Sequence, residues 1–358
     1  MKNHLSRPHL HGLLALIVAT TLTAPALAAK QTAHTTRGHA KLAATAVARP
    51  ATPSYADNPD VQDFIRQMHE QYGFDADHLT RQFAGTHPNT TVLQAIRPAA
   101  VPELQRSWER YRARFINDRR ISGGVRFWQD NATELARAQA IYDVPAEVIT
   151  AIIGVETEYG RNTGKFSVLE ALTTLAFDYP PRAPFFRNEL EQYLLMAREN
   201  GVNPLDIKGS YAGAIGIPQF MPSSQRQFAV DFDGDDRIDL RGSTSDAIGS
   251  VARFLKMHGW QANAPVAVPA QVTQAPDDLI AAGIKPAFPL KDLRERGINA
   301  AGDDAQLAAV IDLVTPNQPT EYWVGFDNFF VVTRYNRSSF YAMSVFQLAE
   351  AIRATRNP

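Results

Sequence analysis

The heptapeptide GVETEYG, residues 154–160, closes an apolar run, AEVITAIIG, with two glutamates. A carboxyl among apolar side chains tends to keep its proton, because desolvation penalises the ionised form. That is the state a general acid needs at neutral pH. A helical wheel separates the two glutamates. At about 100° per residue, Val148, Ile149, Ile152, Ile153, Val155 and Tyr159 form one stripe. Glu156 lies roughly 30° from the centre of that stripe and Glu158 about 130° away. Glu156 is therefore the anomalous carboxylate, and Glu158 reads as a solvated one. The wheel alone leaves two readings of Glu156 open: an acid/base catalyst, or a structural carboxylate paired with Arg161 or Arg182.

A second carboxylate-rich stretch, DFDGDDRID at 231–239, places Asp231, Asp233 and Asp235 at alternate positions. This is the opening pattern of an EF-hand-type calcium loop, in which Arg237 would offer its backbone carbonyl and Ile238 the apolar position. The stretch also departs from that pattern. Asp236 takes the usual glycine position, and position twelve is Gly242 rather than glutamate. Hard oxygen donors suit calcium, and the expected role is structural.

Helical spacing recurs at 101–117, 131–142, 145–159, 167–177, 186–200, 244–258 and 338–353. Asp143 is placed to cap the 145–159 helix, Pro145 falls in its first turn and Gly160 ends it. Order is expected to begin near Val61, in VQDFIRQMHEQYGF. After Trp260 the chain turns to prolines and β-formers, including AAVIDLV and EYWVGFDNFFVVTRY. The fold class expected is mainly α, with a small β-containing subdomain at 261–333 inserted before the last helix.

The 358 residues carry a formal charge of −1 and no cysteine. No field favours nucleic acid, and disulfides and thiol chemistry are excluded. Beyond His87 the chain has one histidine, His258, so a His/Cys zinc site lacks its ligands; a serine triad would have to use His258, and no nucleophile-elbow sequence accompanies it. Walker and dinucleotide glycine motifs are absent, and no organic cofactor is expected. Lys2 and Arg7, the apolar Leu13–Leu22 and Ala26-Leu27-Ala28 read as a signal peptide, residues 1–28. Residues 29–56, rich in Ala, Thr and Pro, read as a disordered linker, and 57–358 as the catalytic domain. A periplasmic protein, soluble and monomeric after cleavage, is expected.

GVETEYGRNTG followed by KGSYAGAIGIPQFMPSS resembles the B-type lytic murein transglycosylases. The likeness extends through FDYPPRAPFF, DFDGDDRIDL, DAIGSVARFLKMHGW and TRYNRSSFYAMSVFQLAEAI, covering most of residues 100–355. The resemblance implies a lysozyme-like helical core. It implies cleavage of the N-acetylmuramic acid–β-1,4–N-acetylglucosamine bond of peptidoglycan, with the muramic acid 6-hydroxyl as nucleophile and a 1,6-anhydro end as product. Glu156 matches the single acid/base, and Ser210 the residue that orients the 2-acetamido group. Gln219 matches a substrate contact, and Tyr111, Tyr335, Asn336 and Tyr341 match groove-lining positions where tyrosines would stack on sugars. Gly209, Gly213 and Gly216 would let backbone approach the sugar. Asp246 matches the last calcium carboxylate, one residue further on than in the family. Ile217-Pro218 stands where the family has an aromatic residue and a glycine. Glycan strands are the expected partner, with cell-wall synthases or amidases beside them. Alternatives are a hydrolytic muramidase and an inactive peptidoglycan-binding protein.

Overall fold

The computed structural model describes residues 54–98 and 107–356. The expected signal peptide, most of the linker and the first six residues of the 101–117 helix lie outside the described residues. Two units are present, 54–88 and the chain from Asn89 onward. In the first, α1 (Pro59–Tyr72) and α2 (Ala76–Ala84) are each capped by the residue before them, Asn58 and Asp75. Order starts earlier than Val61, since Ser54 caps a short turn whose Tyr55 is buried.

The second unit is helical around one long core. Its first elements are α3 (Thr90–Ile96), α4 (Trp108–Phe115), α5 (Asp118–Asp130), α6 (Ala132–Tyr142) and α7 (Ala146–Thr157). Then come α8 (Val168–Asp178), α9 (Ala183–Glu199), α10 (Pro222–Phe228) and α11 (Thr244–Met257). Two short strands, β1 (Phe166–Ser167) and β2 (Lys208–Gly209), pair antiparallel beside the start of α8. Helix α7 is buried at every position but Glu147 and packs on α5, α6, α11 and the last helix, Ser339–Arg356. Burial on all sides explains how a run rich in β-branched residues forms a helix here.

Both ends of α7 differ from expectation. Asp143 does not cap it. That residue is left-handed, ends α6, and pairs with Lys256 at 2.6 Å. The Ala146 amide donates instead to Gln139 Oε1 at 2.9 Å. At the other end the helix stops at Thr157, and Glu158, Tyr159 and Gly160 all have positive φ. A wheel drawn through 159 therefore includes residues that do not follow the helix.

Between α11 and the last helix lies an antiparallel sheet. Its strands are β3 (Ala267–Val272), β4 (Phe288–Pro289), β5 (Ile298–Ala300), β6 (Leu307–Leu313) and β7 (Glu321–Gly325), in the order β4-β6-β7-β3-β5. Two short helices, α12 (Asp277–Ala281) and α13 (Leu290–Glu295), cover it. Strand β6 serves two cores. Ala308 and Val310 face the subdomain cluster, whereas Ala309, Ile311 and Leu313 face the main one. The two-residue period of a strand permits this division. The mainly α class with an inserted β subdomain is as expected. One segment is not: FDNFFVVTRY is helical from Asp327 to Tyr335, here α14. Phe329 and Val332 point to one core at helical spacing, and that burial overrides β propensity. The last helix, Ser339–Arg356, is α15.

Candidate active site

Glu156 sits in the last turn of α7 and is 7% exposed. Neither arginine suggested by sequence is its partner. Tyr341, from α15, donates its hydroxyl to Glu156 Oε1 at 2.6 Å. Burial pushes the Glu156 carboxyl up to about 7, against the Tyr341 hydrogen bond and the nearby charge of Arg120, which pull it down. At neutral pH the group is close to half protonated, so it can both give and take a proton.

Aromatic rings surround this carboxyl. Tyr341 is 1% exposed and offers no open face to a sugar, contrary to the stacking expected of it. Its ring lies parallel to that of Tyr335, 6.4 Å between centroids. Tyr335 is half-buried, packs on Phe254 and Phe220, and donates to the Pro218 carbonyl at 2.5 Å. Tyr111, from α4, is also half-buried and packs on Phe340 and Phe115. Burial and then the Glu156 charge push the phenols of Tyr111 and Tyr335 up. Asn336 ends α14 in an extended conformation and is buried.

The segment after α7 carries the link to Ser210 and Gln219. Thr157 Oγ1 donates to Ile217 O at 2.8 Å, and Gln219 Nε2 donates to Thr163 O at 3.1 Å and Gly216 O at 2.8 Å. Ser210 Oγ accepts the Ala214 amide at 3.0 Å, closing a tight turn. Gly164 lies so close that a Cβ there would sit 2.0 Å from Gly209 O. The glycines of this loop have a different use from the one expected. A Cβ on Gly209 would meet Ala214 O at 2.3 Å, one on Gly213 a Leu172 methyl at 2.4 Å, and one on Gly216 Leu240 O at 2.3 Å. They admit protein, not sugar. Ile217, at the position expected to be aromatic, is a core residue.

Glu158 is also not as expected. It is 7% exposed, with Oε1 2.6 Å from Arg119 Nε and 3.4 Å from Arg161 Nη1. Sequence reading missed Arg120 entirely. It comes from α5, a helix hidden by Gly123-Gly124, and donates to Gly154 O and Val155 O. A glycine pair lowers helix propensity, but here both glycines make room: a Cβ on Gly123 or Gly124 would lie 2.8 or 2.7 Å from Tyr159 atoms. A small-residue pair opposite an aromatic was the available signal.

The acidic loop is a separate cluster. Carboxylate oxygens of Asp231, Asp233 and Asp246 lie within 4.8 Å of one another. Asp235 is outside this group, and its Oδ1 accepts the Arg237 amide at 2.9 Å. Asp231 accepts the amides of Gly234, Asp235 and Asp236 at 2.7–3.2 Å. Asp246 accepts those of Phe232 at 2.7 Å and Asp239 at 2.8 Å. No helix among the described residues is long and apolar enough to cross a membrane.

Comparison with known proteins places this geometry. Residues 56–350 match the family described as transglycosylase SLT domain. Membrane-bound lytic murein transglycosylase B of Escherichia coli is 42% identical over 315 residues, 84% of this chain and 85% of that protein. The crystal structure of soluble lytic transglycosylase SltB1 from Pseudomonas aeruginosa matches with a TM-score of 0.78 and 48% identity, covering 84% of this chain and 100% of that one. Escherichia coli lytic transglycosylase Slt35, solved in complex with calcium, matches with a TM-score of 0.76 and 40% identity over 86% and 96% of the two chains. The lysozyme-like helical fold, the buried glutamate ending the apolar helix and these relatives agree: the chain belongs to the transglycosylase SLT-domain family of lytic murein transglycosylases.

Proposed function

We propose that the chain cleaves the β-1,4 bond between N-acetylmuramic acid and N-acetylglucosamine with one acid/base, Glu156, leaving a 1,6-anhydro end. The observation that carries this reading is the buried Glu156 carboxyl, held by Tyr341 at 2.6 Å and raised to about 7. Protonated Glu156 gives its proton to the glycosidic oxygen as the C1–O4 bond breaks. The muramic acid 6-hydroxyl then attacks C1, and its proton returns to Glu156. One new C–O bond replaces one broken, and no water is consumed. Glycosidases ordinarily use two carboxylates. Here the groups acting on Glu156 are a phenol and a guanidinium, so support for the positive anomeric centre falls to the substrate's own acetamido oxygen. A tethered nucleophile makes such closure fast.

Ser210 has used its oxygen as an acceptor from Ala214, which leaves its proton to donate to the acetamido carbonyl. Gln219 has both Nε2 contacts inside the protein, so its carbonyl faces the role of accepting a sugar hydroxyl. Tyr111, Tyr335 and Asn336 are the wall residues of this reading, and Tyr341 acts on Glu156 rather than on the sugar. Glycan strands are the substrate. A signal peptide at 1–28, a linker at 29–56 and a catalytic domain at 57–358 belong to the same reading, which is of a periplasmic enzyme acting as a monomer near cell-wall synthases or amidases.

Digestion of purified murein tests the reading. The parent should release muropeptides one water lighter than hydrolytic products, and Glu156→Gln should release none. Reducing-end products would establish a hydrolase instead, and full activity in Glu156→Gln would remove Glu156 from the chemistry.

Calcium fits the acidic loop by donor type: three carboxylates converge within 4.8 Å, all hard oxygens. Asp231, Asp233 and Asp246 would hold the ion, with Asp235 and the Arg237 carbonyl close in sequence. Bound calcium would supply charge neutralisation and stiffen the loop. Leu240, just after it, accepts the Ile217 amide at 2.7 Å, so a firmer loop firms the Gln219 segment. Added calcium should raise the melting temperature of the parent and not of Asp231→Ala; an equal rise in both would end the assignment.

A further inference from the structure

The final carbonyls of a helix lack intrahelical donors and need others. At the end of α7, Ile153 O accepts the Tyr159 amide, Gly154 O the Glu158 amide and Thr157 O the Asn162 amide. Val155 O is left out of that set, and Arg120 fills the gap. Its Nη1 donates to both Gly154 O and Val155 O, the two carbonyls that precede Glu156. Arg120 is 8% exposed, and its guanidinium lies 5.3 Å over the Phe115 ring. Its own carbonyl accepts the Tyr159 hydroxyl at 2.7 Å. That phenol in turn fills the space over Gly154, where a Cβ would be 2.6 Å from Tyr159 Oη. Arginine, phenol and glycines are therefore one fitted block at the negative end of the helix that bears the acid.

A buried guanidinium is costly without a counter-charge. Burial pulls the Arg120 guanidinium down, and Glu158 is the first group to oppose it. The charge of Arg120 reaches Glu156 as well. The groups acting on Glu156 are Arg120 from α5 and Tyr341 from α15, while Tyr111 of α4 and Tyr335 of α14 feel its charge in turn. Among the described residues, α6 and α11, which also pack on α7, bring no titratable group to bear on it.

We propose that Arg120 is the positioning residue of the catalytic acid. It fixes the last turn of α7 so that Glu156 meets Tyr341, and it supplies the positive field in which that carboxyl exchanges its proton. The proposal rests on Glu156 being the acid/base.

Two variants of the full chain separate hydrogen bonding from charge. Arg120→Gln keeps a donor for the two carbonyls and loses the charge. Its kcat/KM profile should carry an alkaline limb about half a pH unit or more above the parent's, because a carboxyl without the nearby cation holds its proton longer. Arg120→Lys keeps the charge and loses the fork. Its limb should stay in place while kcat falls roughly tenfold and KM changes less than about threefold. A limb unmoved in Arg120→Gln, whatever its kcat, overturns the electrostatic part. Unchanged kcat in Arg120→Lys overturns the positioning part, and carries the test alone should Arg120→Gln fail to fold. Glu156→Gln is the control. If it still turns over, the reading of Glu156 fails; if it is inactive while both Arg120 variants behave as the parent, only this inference falls.

Discussion

Glu156 and Asp246 are both nearly out of contact with solvent, 7% and 1% exposed, yet they are held in different ways. Burial pushes both carboxyls up. Against it, Glu156 has one phenolic hydroxyl and the charge of Arg120, whereas Asp246 has the amides of Phe232 and Asp239, one on each oxygen. A phenol can donate or accept, so its partner is free to lose or gain a proton without losing the contact. A backbone amide can only donate, so two of them, one on each oxygen, favour the ionised carboxylate. One carboxyl is thereby equipped for proton transfer and the other for tying two chain segments together.

Breaking the Asp246 side of this contrast should have the largest effect. Asp246→Ala leaves two amides without acceptors in a buried site and should cost about 2–4 kcal/mol in urea unfolding. A loss under about 1 kcal/mol would mean the amides find water and the tie is weak. Glu156 should show the reverse sign. Its folded-state value of about 7 lies above the ordinary 4.5, so the native state holds a proton that the unfolded chain releases between these values. Stability from this group is present at low pH and is lost as pH rises from about 4.5 through 7. Glu156→Gln, which carries no charge, should therefore be more stable than the parent at about pH 8.5, by about 3 kcal/mol, and equal to it near pH 4. Thermal unfolding at both pH values reads this directly, and a variant less stable at high pH would contradict the burial argument. Smallest is Tyr341→Phe, which removes one hydroxyl. It should lower kcat about tenfold, near 1.4 kcal/mol, and move the alkaline limb upward, because a carboxylate-stabilising donor is gone. An unmoved limb would show that Tyr341 packs without tuning the acid.

Glu156 was legible in the sequence because it breaks a pattern: a charge on a stripe of Val and Ile is visible to a wheel. Glu158 was misread for a reason equally physical. The wheel assumes helix, and the chain leaves it at Glu158, with φ of 53° there and 62° at Tyr159. Arg120 was invisible because its role depends on a crossing of α5 over the end of α7, which no local pattern encodes. Phe329, Val331 and Val332 favour strands in isolation, and only the core beneath α14 makes them helical. The Asp231 and Asp233 alternation was readable, but the use of Asp246 to bridge Phe232 and Asp239 depends on a side chain from the first turn of α11 reaching back across the loop.

The divided loyalty of β6 has a mechanical consequence. Ala309, Ile311 and Leu313 belong to the same core as α7, although they arrive through the inserted sheet. Melting the sheet alone would strip that core of these three side chains and of Ala267 from β3, so the sheet cannot come apart while the helices stand. The unit from Asn89 onward should thus unfold in one cooperative step, with sheet and helix signals lost together. Excising residues 261–333 should yield a chain that does not fold, rather than a smaller enzyme.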